Sequence, residues 1–576
     1  MMKEKIYSNL KFLFLAATAV VAYFSYTFGR NVDKIYYAGF LLALIPLYCS
    51  HYFTKGRDRL KSLRIIEESW GEPSNKKRNL EIARRYFDFL SKESKEVYMD
   101  DQTWEDLDMD ELYTMLDRNL TSSGEQVLYH YLRTPLFEEE ALLFRDKIIK
   151  LFQEDKELRE RIQLALHYVG RMKDDDLSSL LWKETESKPY MRLISNVAAT
   201  LPLVTLLLVP FIGSLVFVPF VMCFGLNAYI HTNHGVKNDV SIKALRYLSE
   251  IIRFAGLLCQ EDNETLKPYI EEVKDIYEKV KAIARGNSNI GVAEGVDMLY
   301  DYGKTLFLIE ERSYYRVRED IKKNRELLKR LYRIVGELDC FISIASYREE
   351  LGDFTRPDFR TDQLGIKVEG LIHPLIEEAV PNNISIGQGG VIITGSNMSG
   401  KSTFLRSIGI SALFAQTFYM VLADKYQAPF YHIMTSISPS DSVVDGKSYY
   451  LREAESILRI LNQCGKKYPV LCIVDEIFRG TNPVERISAS AEIMEYIIKK
   501  NTTAIIATHD LELTELMKDN YQCYYFKEDI SDHEGIQFDY KIRKGVSNTR
   551  NAIKLLAYLG YPESIVQGAE ERVSRQ

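Results

Sequence analysis

Disulfide chemistry is the first thing this sequence leaves out. Seven cysteines, Cys49, Cys223, Cys259, Cys340, Cys464, Cys472 and Cys523, are scattered through 576 residues with no C-x-x-C pair and no even framework. That excludes a disulfide-stapled secreted scaffold and leaves reduced thiols packed as small hydrophobes. Positive charge is also in deficit, because 74 Lys and Arg stand against 81 Asp and Glu for a formal charge of −7. Coating a nucleic acid through bulk charge is thereby excluded, although a local basic face is not. No fixed-period repeat and no low-complexity tract is present, and 46% hydrophobic with 27% charged residues excludes collagen-like, mucin-like and globally disordered chains. At ~150 residues per domain the length accommodates about four domains, each large enough for a core.

Averages conceal two places where charge is missing altogether. Phe12–Gly29 is 18 residues without a charge and Ile35–Phe53 another 19, separated only by Arg30-Asn31-Val32-Asp33-Lys34. A helix needs about 20 apolar residues to cross the hydrocarbon core, so the pair reads as a helical hairpin. Lys3, Lys5 and Lys11 precede it and Lys55, Arg57, Arg59, Lys61 and Arg64 follow, which places both ends on the cytoplasmic side. A cleavable signal fits poorly, since a second span follows at once and no small-x-small site precedes Arg30. Leu193–Val236 then runs 44 residues without Asp, Glu, Lys or Arg, long enough for two crossings joined near Pro210-Phe211-Ile212-Gly213-Ser214. The expectation is a multi-pass membrane protein whose remaining domains are cytoplasmic.

Those remaining domains differ in character. Residues 57–190 and 237–356 carry Leu, Ile and Tyr at three- and four-residue spacing with Glu and Lys between, the pattern of amphipathic helices. After Pro357 short β-rich runs alternate with helices: Gly390–Thr394, Val470–Val474 and Thr503–Ala507, the mark of an α/β domain with a parallel sheet. The boundaries follow: a membrane hairpin over 1–56, a helical core over 57–190, a second hairpin over 191–236, a helical lever over 237–356 and an α/β domain over 357–576.

The strand Gly390–Thr394 runs directly into Gly395-Ser396-Asn397-Met398-Ser399-Gly400-Lys401-Ser402-Thr403 and then a helix. This is G-x-x-x-x-G-K-[ST] in its strand-loop-helix setting: small residues let backbone N–H groups and the helix N-terminus face phosphates. Lys401 would contact the β- and γ-phosphates of ATP, and Ser402 would ligate Mg²⁺. The apolar strand Val470–Val474 ends in Asp475-Glu476, where Asp475 would hold the Mg²⁺ shell and Glu476 would orient the attacking water. The strand Thr503–Ala507 ends in Thr508-His509-Asp510, and His509 stands at the same sheet edge, where open α/β sheets bind ligands. No metal-ligand spacing occurs beyond this nucleotide-bound ion.

The constellation resembles the MutS family, whose ATPase is an ABC-type P-loop domain that dimerises head to tail. Gly395–Thr403 stands where the family has G-P-N-M-G-G-K-S-T, Asp475-Glu476-Ile477-Phe478-Arg479-Gly480-Thr481 resembles its D-E-I-G-R-G-T, and Asp445–Glu453 resembles its G-R-S-T-F-x-x-E segment. The resemblance implies an ATP hydrolase working as a homodimer, with Ser448 reaching in trans to the partner's γ-phosphate. Looser likeness over 104–350, including Leu116–Gly124 and Leu338–Ala345, implies the family's helical core and lever. Some features depart from the family. No N-terminal mismatch-reading domain is found, and Phe152-Gln153-Glu154, which matches its wedge pattern, lies in a helical run. Ala379 replaces an aromatic before Val380-Pro381-Asn382, and Ser396 and Ser399 replace Pro and Gly.

A basic tract bears on nucleic acid. Arg316, Lys322, Lys323, Arg325, Lys329 and Arg330 lie among Tyr314, Tyr315 and Tyr332, and point charges of this kind suit phosphates of DNA or of anionic lipid equally. Three functions follow. The chain is a membrane-anchored MutS-like ATPase whose dimer closes on mismatched or branched DNA; or the same engine serves a membrane or protein partner; or, least favoured, it is a transporter. The spans carry no internal charge of the sort transport sites use.

Overall fold

A computed structural model describes all residues except 1, 75–77, 94–96, 173–176, 184–188, 208–212, 234–241, 288–302, 304, 396–398, 438–448, 480–481, 532–534, 547–552, 554–555, 557–558 and 575–576. The chain divides into two compact units. The first comprises Met1–Glu72, Asn119–Gly124 and Leu151–Glu350; the second comprises Pro73–Arg118, Glu125–Lys150 and Leu351–Gln576.

The first unit is helical. Helices Met2–Asn31 and Gly39–Glu68 lie antiparallel, with Ser50 Oγ donating to Lys11 O at 3.3 Å and the Phe14 and Phe53 rings stacked at 5.5 Å. Small residues permit this approach, since a Cβ on Gly39 would collide with Ser25 Oγ. Asp33 makes the turn between them by accepting from Ile35 N at 2.9 Å. Among the described residues these two helices are long and apolar enough to cross a membrane, judged by length and composition.

The second uncharged run forms helices Pro189–Leu207 and Phe217–Asn233. Ala198, Ala199 and Ile230 make a small core with Leu308, which precedes the charged helix Ile309–Lys323. The centre of the unit is helix Arg325–Leu351, buried almost continuously from Leu328 to Arg348. Its Asp339 is fully buried and accepts from Leu120 N at 3.0 Å, Thr121 N at 2.8 Å and Thr121 Oγ1 at 2.6 Å. Removal from water raises this carboxyl to about 6, and the hydrogen bonds from Thr121 and Leu120 and the charge of Arg171 hold it from rising further.

The second unit is α/β. Its described residues form ten strands, β1 (Asp358–Phe359), β2 (Ile366–Leu371), β3 (Asn382–Ile386), β4 (Gly390–Thr394), β5 (Lys425–Ala428), β6 (His432–Ser436), β7 (Val470–Asp475), β8 (Thr502–Ala507), β9 (Tyr521–Ser531) and β10 (Gly535–Lys544). They build a four-stranded sheet in the order β1-β5-β2-β3 and a six-stranded sheet in the order β10-β9-β4-β8-β7-β6. In the larger sheet β6, β7, β8, β4 and β9 are parallel, and β10 closes the edge antiparallel. The sheet is therefore mixed, where alternation of strands and helices pointed to a parallel one; the chain turns straight back from β9, as a hairpin allows. Strands β4, β7 and β8 are buried at every position, because helices cover both faces. Cys472, Val474, Ala504 and Ile506 pack with Met494 and Ile497 of helix Pro483–Ile498. On the opposite face helix Lys401–Phe418 comes so close at Gly409 that a Cβ there would stand 3.2 Å from Ile473 Cδ1.

Candidate functional site

Parallel register lines up the ends of three strands. Thr394 ends β4, Asp475 is paired with Ala507 at the ends of β7 and β8, and Thr508 N donates to Ile393 O at 3.0 Å. Whatever follows these strands is delivered to one edge of the sheet. After β4 comes Gly395 at φ +133°, and the loop closes on Gly400 at φ +99°, which caps helix Lys401–Phe418. Both conformations favour glycine.

Lys401 is fully buried, and its Nζ donates to Gly395 O and stands 3.2 Å from His509 Nε2. Ser402 Oγ donates to Asp475 Oδ2 at 2.5 Å. Asp475 is 4% exposed, and its other oxygen, Oδ1, is buried with no hydrogen-bond partner among the described residues. An acceptor of that kind beside a serine hydroxyl is the chemistry of a hard divalent cation's ligand set, so these two residues fit Mg²⁺.

Glu476 follows in a left-handed conformation at φ +65°, and Phe478 at φ +62°. Two non-glycine residues of this kind in three positions mark a forced turn. The turn is held by Glu476 N donating to Ala507 O at 2.9 Å. Glu476 Oε1 lies 2.9 Å from His509 Nε2 and Oε2 lies 2.8 Å from Arg479 Nε. Burial by itself would raise the Glu476 carboxyl; the hydrogen bond from His509 and the charges of Arg479, His509 and Lys401 outweigh it and bring it below the ordinary value. Glu476 is thus held ionised. His509 Nε2 cannot both donate to Glu476 and accept from Lys401, so its tautomer selects between the two.

Of the residues picked from the sequence, Lys401, Ser402, Asp475, Glu476 and His509 come together here. Thr403 and Gly400 line an adjoining cavity, and Ser399 is buried in the loop. Ser396, Asn397, Met398 and Ser448 lie outside the described residues.

Sequence reasoning overlooked Arg479 as a partner, although its offset of three from Glu476 is the available signal; its backbone N donates to Glu453 Oε1 at 3.2 Å. It also overlooked the cavity beside the loop, about 400 Å³, lined by His373, Glu378, Asn382, Phe404 and Tyr540. Asn382 ties this wall together, donating to Tyr540 O at 2.9 Å and accepting from Ile542 N at 2.8 Å. Burial and the nearby Arg406 push His373 down to about 4, so it is neutral at pH 7.

The basic tract belongs to the first unit. Arg330 is paired through Nε and Nη2 with Glu272, Lys329 with Glu326 at 3.0 Å, and Arg325 Nη2 donates to Lys183 O at 3.4 Å. Arg316, Lys322 and Lys323 are exposed on helix Ile309–Lys323.

Comparison with known proteins gives the family. The family model described as MutS domain V matches residues 391–575, and that of MutS domain III matches residues 77–345. The chain belongs to the MutS family. A DNA mismatch repair protein MutS of Thermus thermophilus is 26% identical over 504 residues, covering 81% of this chain and 60% of that protein. Those of Petrotoga mobilis and Thermotoga maritima are 32% identical over 283 residues and 30% identical over 323, covering 34% and 40% of their own lengths. The chain therefore spans at most 60% of these MutS relatives. MutS domain III accounts for the helical residues between 77 and 345, and MutS domain V begins one residue into β4.

Proposed function

We propose that this MutS-family chain is an ATP hydrolase, with a P-loop at residues 395–403, whose nucleotide state opens and closes a homodimer attached to a membrane. The observation that carries the reading is the convergence of Lys401, Ser402, Asp475, Glu476 and His509 on one sheet edge, with Asp475 Oδ1 buried and without a partner among the described residues. Lys401 neutralises the β- and γ-phosphates, and the N–H groups at the start of helix Lys401–Phe418 donate to the remaining phosphate oxygens. Ser402 and Asp475 would hold Mg²⁺, which would supply neutralisation of phosphate charge. Glu476 orients and polarises the water in line with the γ-phosphate. His509 and Arg479 fix the direction of its carboxylate, and His509 is placed to follow the loss of the γ-phosphate. The cavity lined by Phe404 and Tyr540 takes the nucleoside. By the family resemblance Ser448 completes the site in trans, and helices Met2–Asn31 and Gly39–Glu68 form the membrane anchor.

The test is Glu476→Gln in the full chain. Removing a group used only in the transition state should lower turnover by about 100-fold or more while leaving ATP affinity within a few fold. Turnover unchanged in the variant would remove Glu476 from the role.

What the engine acts on has two readings. The relatives' name points to mismatched DNA. The pairing of Lys329 with Glu326 and of Arg330 with Glu272 favours the second, a membrane or protein partner, because a charge already compensated contributes little to phosphate binding.

A further inference from the structure

By length alone, Leu193–Val236 suffices for two bilayer crossings, but both of its helices are tied to polar partners well short of their apolar ends. Helix Phe217–Asn233 is held at His231, whose Nδ1 is 2.6 Å from Glu311 Oε1. It is held again at Asn227, whose Nδ2 donates to Ala198 O at 3.2 Å and to Leu306 O at 2.6 Å. Helix Pro189–Leu207 is held at Asn196, whose Oδ1 accepts from Arg312 Nε at 3.0 Å, and at Ala198 and Ala199, packed on Ile230 and Leu308. Arg192 is ion-paired with Glu319. Helix Ile309–Lys323 carries Glu310, Glu311, Arg312, Arg316, Arg318, Glu319, Asp320, Lys322 and Lys323. A helix so charged does not enter hydrocarbon, so the base of the hairpin bound to it stays outside as well.

What remains beyond that base is residues 200–226, 27 residues to go out and come back, whose described helical stretches are Thr200–Leu207 and Phe217–Leu226. Shared between two arms this is at most about 13 residues each, roughly 20 Å at about 1.5 Å per residue. A hydrocarbon core about 30 Å thick needs about 20 residues, and shorter apolar runs suit re-entrant segments. The stretch is apolar on its surface: Leu203, Leu207, Phe217, Val218 and Met222 are exposed, and Leu215 at the tip is 70% exposed. Lipid is the occupant that fits. The same unit carries the two helices long enough to cross, and the base helix presents Arg316, Lys322 and Lys323, which suit phosphate headgroups.

We infer that the second hairpin is re-entrant: it buries its tip in one leaflet and does not cross, with helix Ile309–Lys323 at headgroup level. This rests on the membrane-anchor reading above. The test uses the full chain in vesicles of phosphatidylcholine and phosphatidylglycerol, with Leu215→Trp as a depth probe and the unsubstituted chain, which has three tryptophans, as background. The added indole should lose most of its emission to lipids brominated deep in the acyl chain and none to aqueous iodide on either side. Iodide quenching from the face opposite the helical units would mean that the hairpin crosses. Iodide quenching from the face of those units, without bromine quenching, would mean that it is not inserted. Either result overturns the proposal. The anchor is tested separately by Val32→Cys, which an impermeant maleimide should modify only from the opposite face; if it does not, the anchor reading fails whatever the indole reports.

Discussion

Glycine at position 400 meets two demands at once. Its φ of +99° lies in the left-handed region, and a Cβ there would stand 3.2 Å from Tyr540 Cδ1. Holding a side chain in such a conformation costs about 1–3 kcal/mol. In Gly400→Ala the loop should relax away from Tyr540, and the cost should be taken from nucleotide binding. We expect ATP affinity to fall roughly tenfold, the equivalent of about 1.4 kcal/mol, measured by titration of a fluorescent ATP analogue. Unchanged affinity would mean that the loop conformation is not the one that binds. At this scale Asp475, Glu476 and His509 were legible in the sequence because each follows an apolar strand within a residue or two, and Lys401 and Ser402 because they close the G-x-x-x-x-G-K-[ST] loop after β4. That Tyr540, Asn382 and His373 share one cavity was not. They stand on β10, on β3 and just after β2, more than 150 residues separate the first from the others, and only folding brings them to one cavity.

Elements were legible where burial on both faces writes a continuous apolar run. Gly390–Thr394 was expected and is found with those bounds, while Val470–Val474 and Thr503–Ala507 each extend by one residue. The four-stranded sheet escaped notice because β2, β3 and β5 mix buried and exposed positions over only four to six residues and β1 is two half-buried residues. The hold of helix Arg325–Leu351 on Leu120 and Thr121 was equally hidden, since Asp339 lies 218 residues from Thr121. That hold makes a prediction in pH. Asp339 is raised from an ordinary 3.8 to about 6, so between these values the folded chain keeps a proton that the unfolded chain has lost. Its contribution to stability is therefore full below about pH 4 and declines as pH rises through about 6, by at most about 3 kcal/mol. Asp339→Asn removes the titration. The stability difference between parent and variant should fall between pH 4 and 6 and stay level above that, read by hydrogen exchange in peptides covering Asn119–Gly124. A difference independent of pH would show that the carboxyl titrates normally in the fold.

For the whole molecule, the formal charge of −7 bears directly on which substrate the engine serves. Binding to duplex DNA releases counterions, and log K falls with log salt at a slope of about −0.9 per phosphate neutralised. In the basic tract Arg330 and Lys329 are already matched by Glu272 and Glu326, and Arg333 by Glu337 at 2.7 Å. Arg316, Lys322 and Lys323 are the exposed cations left from the residues first singled out. Three contacts would give a slope no steeper than about −3, with affinity in the non-specific range of roughly 10⁻⁴ to 10⁻⁶ M. The detergent-solubilised full chain should therefore bind a duplex weakly between 50 and 200 mM salt, prefer no mismatch, and lose what binding it has in the triple variant Arg316→Glu, Lys322→Glu, Lys323→Glu. A slope near −6 or beyond, with a mismatch bound tighter than its matched duplex, would require a basic surface other than this tract and would restore DNA as the substrate. Net negative charge does not forbid that outcome, because phosphate contacts are local. It does mean that a DNA-binding dimer of this chain would have to concentrate its cations against the average, and the tract where they are densest pairs them internally instead.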